Sequence, residues 1–194
     1  MIQDKRQFLK NAGLFLFEIV KAFVISLAII LPIRYFLIQP FYVQGASMEP
    51  NFQSRDYLII NEIGYRFNNP ERGDVVVFKS PYNKKEYLIK RVIGLPGEKV
   101  EIKDNQIYIS SKDNPQGFVL KENYLVNGQT SATNKTYAKA ELRDNEFYFL
   151  GDNRAYSLDS RSFGPVHRDS IIGRAWIRGW PFSKMTIFGK INYN

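Results

Sequence analysis

Ser47 lies in the stretch Gly45-Ala46-Ser47-Met48-Glu49-Pro50, and Lys90 lies in the strand-like run Tyr87-Leu88-Ile89-Lys90-Arg91-Val92-Ile93. A serine hydroxyl attacks a carbonyl well only when a neighbouring base takes its proton. The chain holds one histidine, His167, and no cysteine to compete for these roles. On an extended strand side chains alternate between faces, so Leu88 and Val92 share the face of Lys90 while Tyr87, Ile89 and Arg91 point away. Apolar company disfavours the ammonium form and drives a lysine pKa down from about 10.4. A neutral Lys90 can then take a proton from Ser47, and the chemistry this allows is acyl transfer.

A third segment, Gly151 to Gly164, carries Ser157, Asp159 and Arg161 two residues apart, which an extended backbone would place on one face. An Asp159–Arg161 ion pair would brace that loop; as a surface pair it is worth at most about 1 kcal/mol. Each feature alone has a plainer reading. Lys90 fits an edge strand that resists sheet-to-sheet aggregation, Ser47 fits ordinary turn chemistry, and the polar segment fits a solvated hairpin. It is their coincidence that carries the chemical reading. His167, between Val166 and Arg168, reads as an exposed loop residue. With a single histidine and no cysteine, only scattered carboxylates remain as ligands, so neither a metal nor another cofactor is expected.

These residues need elements to hold them. Apolar residues dominate residues 19–38, near the roughly 20 needed to cross a bilayer as a helix. Lys21 and Arg34 fall near the ends of that span, where long side chains reach the headgroups. Ser47 follows nine positions after Ile38. Lys5, Arg6 and Lys10 precede the span, so residues 1–18 are expected on the cytosolic side and residues 39–194 outside. No pair of small residues suited to cleavage stands at Ile38-Gln39-Pro40-Phe41-Tyr42, which favours a retained anchor over a removed leader. The net charge of +8 then suits an anionic lipid surface, and nucleic acid is not expected as a partner.

Beyond the anchor, short runs rich in β-branched and aromatic residues alternate with turn signals. They are Tyr57–Ile60, Asp74–Phe78, Tyr87–Ile93, Lys99–Ile102, Gln106–Ile109 and Glu146–Leu150. The expected fold class is mainly β: an antiparallel sheet domain with a smaller lobe at about 110–140, after one transmembrane helix. Asn114-Pro115-Gln116-Gly117 and Asn127-Gly128 break up that lobe.

Four blocks in order resemble the bacterial type I signal peptidases, membrane-anchored serine proteases with a Ser/Lys dyad. They are Gly45 to Pro50; Arg72-Gly73-Asp74-Val75-Val76-Val77-Phe78; Tyr87 to Ile93 continuing through Gly94-Leu95-Pro96-Gly97-Glu98; and Gly151 to Gly164. The resemblance implies that Ser47 is the nucleophile, Lys90 the general base and Ser157 the hydroxyl that orients the amine. It implies structural support from Asp152, Asp159 and Arg161, and apolar cover of the lysine by Phe78, Leu88 and Phe149. The implied substrates are exported preproteins, cut after an Ala-x-Ala pattern. Gly45 stands where some members carry a serine whose hydroxyl helps the oxyanion, which leaves that task to backbone N–H groups including that of Ser47. Ala155-Tyr156 replaces a pair that is often more polar. Two rivals are a self-cleaving Ser/Lys peptidase of the repressor type, which would be soluble and bind DNA, and a catalytically silent relative that binds or chaperones exported substrates at the membrane.

Overall fold

The computed structural model describes residues 2–36, 38–125 and 138–189. The chain divides into two units, Met1–Ile38 and Gln39–Asn194. The first contains one helix, α1 (Ile2–Phe36), which runs on through Pro32. Among the described residues, the stretch long and apolar enough to cross a membrane is Asn11–Leu31, which shares residues 19–31 with the span expected from composition. Leu14 to Phe17 are as apolar as the residues after Glu18, and Glu18 pairs with Lys21 one turn on at 3.7 Å. The two charges offset each other beside these apolar residues.

The second unit is mainly β, and every strand register described in it is antiparallel. Twelve strands are described: β1 (Ile38–Tyr42), β2 (Tyr57–Asn61), β3 (Val75–Lys79), β4 (Tyr87–Gly94), β5 (Glu98–Lys103), β6 (Gln106–Ser111), β7 (Phe118–Val119), β8 (Lys139–Glu141), β9 (Glu146–Leu150), β10 (Val166–His167), β11 (Ile171–Trp180) and β12 (Thr186–Ile187). The larger sheet follows the order β1-β2-β11-β3-β4-β9-β10, with β12 on β11. A short helix, α2 (Ile63–Phe67), follows β2, and a one-turn helix, α3 (Ser160–Phe163), follows β9. All six strands expected from sequence form.

The smaller sheet, β7-β6-β5-β8, takes in β5 and β6 and therefore begins before residue 110. Alternation along β5 and β6 turns Val100, Ile102, Ile107 and Ile109 inward, where they meet Leu120, Leu142 and Tyr148. Residues 126–137, including the Asn127-Gly128 breaker, lie outside the described residues.

Register decides what surrounds Lys90. In the β3–β4 pair Lys90 stands opposite Val76 and Leu88 opposite Phe78, while in the β4–β9 pair Val92 stands opposite Phe149. Directly opposed residues share a face. That face is packed with apolar side chains, the Phe78 and Phe149 rings stacked at 4.5 Å.

Candidate active site

Ser47 sits in the turn between β1 and β2. Met48 and Phe52, 1% and 2% exposed, anchor that turn in the core beside Val43 and Leu58, and the Phe52 N–H closes it on the Met48 carbonyl at 2.9 Å. With its neighbour pinned inward, Ser47 remains half-buried. Gly45 has φ +92°, a conformation L side chains rarely adopt, so the glycine there answers to backbone geometry.

The Lys90 side chain is 2% exposed, and its Nζ lies 2.7 Å from the Ser47 Oγ. The same Nζ donates to the carbonyl of Ile89 at 2.8 Å. Burial pushes the amine pKa down to about 8, while the negative charges of Asp159 and Asp152 pull the other way. The amine is therefore substantially neutral slightly above physiological pH, and it is already in contact with the hydroxyl.

The Gly151–Gly164 segment packs directly against this pair. A Cβ on Gly151 would lie 2.2 Å from the Ser157 Oγ and 2.4 Å from the Ser47 carbonyl oxygen, so only glycine allows the two chains so close. The next residues grip the nucleophile backbone: Asn153 donates from its N–H to the Ser47 carbonyl at 3.0 Å and from its Nδ2 to the Ala46 carbonyl at 3.1 Å. Asp152 is buried and receives both Arg91 Nε, at 2.8 Å, and Arg91 Nη2, at 2.5 Å, together with Asn51 Nδ2 at 2.9 Å.

Asp159 and Arg161 form the expected ion pair, with Nε to Oδ1 at 2.8 Å and Nη2 to Oδ2 at 2.7 Å. Both are fully buried, so the surface-pair value does not apply to them. Breaking such a pair leaves an uncompensated charge and costs about 3–5 kcal/mol. The backbone is not extended throughout, because Asp159 caps α3, which contains Arg161. Asp159 also accepts the Gly151 N–H at 3.1 Å, which joins the two ends of the segment.

Ser157 is buried beside Gly151, and its Oγ has no hydrogen-bond partner among the described residues. His167 is exposed and lies against Asp169 at 3.3 Å. Sequence reasoning missed Asn51, Asn153 and Ser160, whose Oγ accepts the Phe149 N–H at 2.9 Å. Asn153 stood within a recognised block, but an asparagine in a turn gives no sign that it reaches 107 residues back to Ala46.

A family described as "Signal peptidase, peptidase S26" matches residues 16–180. A protein named probable signal peptidase I-2, from Synechocystis, is 35% identical over 173 residues, covering 87% of this chain and 75% of its own. Signal peptidase IB of Staphylococcus aureus is 33% identical over 190 residues, covering 92% of this chain and 95% of its own. The crystal structure of a signal peptidase I from Enterococcus faecalis is 33% identical, with a TM-score of 0.46 over 55% of this chain and 97% of that one. With its family match running from α1 to the end of β11, the chain belongs to the signal peptidases of peptidase family S26.

Proposed function

We propose that this protein is a membrane-anchored endopeptidase that removes signal peptides from exported preproteins, with Ser47 as nucleophile and Lys90 as general base. The observation that carries the reading is the 2.7 Å contact between a serine hydroxyl and a buried amine of depressed pKa. When Lys90 is uncharged it accepts the Ser47 proton as the oxygen attacks the scissile carbonyl. The resulting ammonium protonates the leaving amine, and the regenerated amine then activates water to release the acyl group from Ser47.

Developing charge on the carbonyl oxygen needs donors that are already aimed. The Ser47 N–H has no acceptor among the described residues. It shares a planar trans peptide with the Ala46 carbonyl and points the opposite way. By holding that carbonyl, the Asn153 side chain also directs the N–H. Asp152, Asp159 and Arg161 keep the loop in place, and Ser157 is the hydroxyl available to the Lys90 amine once the side chains adjust to substrate.

A cavity of about 430 Å³ opens beside Ser47 and Lys90, walled by Phe41, Val43, Leu58, Val77 and Ile89. β9 registers with β4 only over Arg91–Gly94, so Tyr87 to Lys90 offer a strand edge on that side to an incoming peptide. In an extended peptide residues two apart point the same way, so the first and third residues before the cut both face the apolar wall. Apolar residues suit that wall; that they are small, in an Ala-x-Ala pattern, is what the resemblance to the type I signal peptidases implies. α1 anchors the enzyme in lipid, and Lys5, Arg6 and Lys10 keep its start cytosolic, so the peptidase unit faces outward.

Purified Ser47→Ala and Lys90→Ala variants are expected to leave a model precursor uncut, and wild-type turnover by either variant would reject the dyad. The kcat/KM of the wild type should rise through pH of about 8 as the amine loses its proton, whereas a flat profile down to pH 5 would contradict Lys90 as base.

A further inference from the structure

Nothing in the serine–lysine chemistry requires the smaller lobe, yet the chain that leaves its core returns to the site. Leu120 is 5% exposed within the lobe's apolar cluster, and its N–H binds the Ile107 carbonyl at 2.8 Å. Two residues later the Glu122 side chain, 4% exposed, reaches Arg154 in the Gly151–Gly164 loop. Arg154 Nη1 donates to it at 2.6 Å and Nη2 donates to its second oxygen, a two-pronged pairing. Tyr124 follows. Its hydroxyl donates to Glu122 at 2.6 Å, its carbonyl accepts Asn51 Nδ2 at 3.0 Å, and its ring lies under the Arg91 guanidinium at 4.0 Å.

Each contact leads to the nucleophile in a few bonds. Arg154 Nε holds the Gly151 carbonyl at 2.9 Å, and Gly151 is the residue wedged between Ser47 and Ser157. Arg91 holds Asp152, whose neighbour Asn153 orients the Ala46–Ser47 peptide. Asn51, in the nucleophile turn itself, bridges Tyr124 and Asp152. A buried carboxylate–guanidinium fork is directional as well as strong, which makes it suited to fixing position.

We infer that Glu122 and Tyr124 are positioning residues for the reaction: as a strap from the smaller lobe, they set the Gly151–Asn153 backbone that aims the Ser47 hydroxyl and amide. Neither touches the reacting atoms. A misplacement of about 1 Å at reacting groups costs up to roughly a hundredfold in rate.

The inference rests on the serine–lysine reading, and the test separates the two. Full-length Glu122→Gln keeps the size and removes the charge. It is expected to lower kcat about tenfold or more, with KM within about twofold and with slower labelling by a serine-directed acylating inhibitor per folded molecule. Ile107→Ala loosens the lobe core without touching the strap and serves as the comparison. If it lowers kcat per folded molecule as much as Glu122→Gln does, the strap is only structural and the inference fails. It fails also if Glu122→Gln keeps wild-type kcat while Ser47→Ala is inactive; an active Ser47→Ala would instead remove the underlying chemistry. Should Glu122→Gln not fold, Tyr124→Phe, which deletes only the hydroxyl held to Glu122, decides: kcat lowered severalfold at unchanged KM supports the strap, and unchanged kcat overturns it.

Discussion

The core of the smaller lobe and the surroundings of Ser47 are buried to a similar depth and built from opposite materials. In the lobe Val100, Ile102, Ile107 and Ile109 bury hydrocarbon and nothing else. Around the nucleophile Lys90, Arg91, Asp152, Arg154, Asp159 and Arg161 are all 7% exposed or less. Apolar burial is the dominant favourable term in folding, whereas a buried ion pair is often no better than an apolar pair of the same volume. The charged region therefore gives up stability to hold direction and protonation state, and the lobe supplies stability without direction. Substitutions in the two regions should separate accordingly.

The largest expected effect is at Lys90. Lys90→Met should abolish cleavage and remove a pH-dependent stability cost. The folded-state pKa of about 8 lies below the ordinary 10.5, so between those values the unfolded chain binds more protons and wild-type stability rises with pH. This one group contributes about 3 kcal/mol to that rise, and its cost is fully present below pH 8. The stability advantage of Lys90→Met over wild type should thus be greatest below pH 8 and shrink towards pH 10.5. Urea unfolding of both proteins across that window measures it; tyrosine ionisation cancels in the difference. A difference independent of pH would show that the amine is not desolvated.

Asp159→Asn comes next. It leaves the guanidinium of Arg161 buried without its carboxylate, at a cost of about 3–5 kcal/mol. It also removes a charge that holds protons on Lys90, so the acid limb of kcat/KM should move to lower pH in whatever protein remains folded. In the lobe, Ile107→Ala should cost about 2–5 kcal/mol by cavity formation, with the acid limb and the kcat of the folded fraction unchanged. A shift of that limb in Ile107→Ala, or none in Asp159→Asn, would break the separation of the two regions.

The same contrast explains what the sequence made legible. Strands such as β5, β6 and β9 read clearly because alternation and β-branched residues are local signals, and Lys90 read as buried for the same reason. β11, ten residues long and between β2 and β3 in the sheet, was not expected: Gly173 and Gly179 and the charged Arg174 and Arg178 interrupt the apolar and β-branched pattern by which the other strands are recognised. Arg174 and Arg178 are paired with Asp74 and Asp56, partners a hundred or more residues away in sequence. Asp159–Arg161 was legible as a pair because its members are two residues apart, but its burial was not. The ties from Asn153 and Glu122 to distant segments carry no periodicity, so only the folded chain reveals them.

The smallest expected effect sharpens the comparison at the nucleophile turn, where backbone geometry rather than charge is at stake. At φ +92° any side chain on residue 45 is strained, although a Cβ there has no heavy atom within 4 Å apart from its chain neighbours. Gly45→Ala should therefore destabilise by about 1–2 kcal/mol through strain alone, without a clash. Gly45→Ser should lose the same amount. Because that Cβ lies more than 4 Å from every atom of Ser47 and Lys90, a hydroxyl added at residue 45 has no direct hold on the reacting pair. The kcat values of the two variants should then agree within about twofold, well under the hundredfold or more that one oxyanion donor supplies elsewhere. A Gly45→Ser variant much faster than Gly45→Ala would mean that the added hydroxyl reaches the oxyanion, which belongs to the substrate carbonyl and to neither Ser47 nor Lys90.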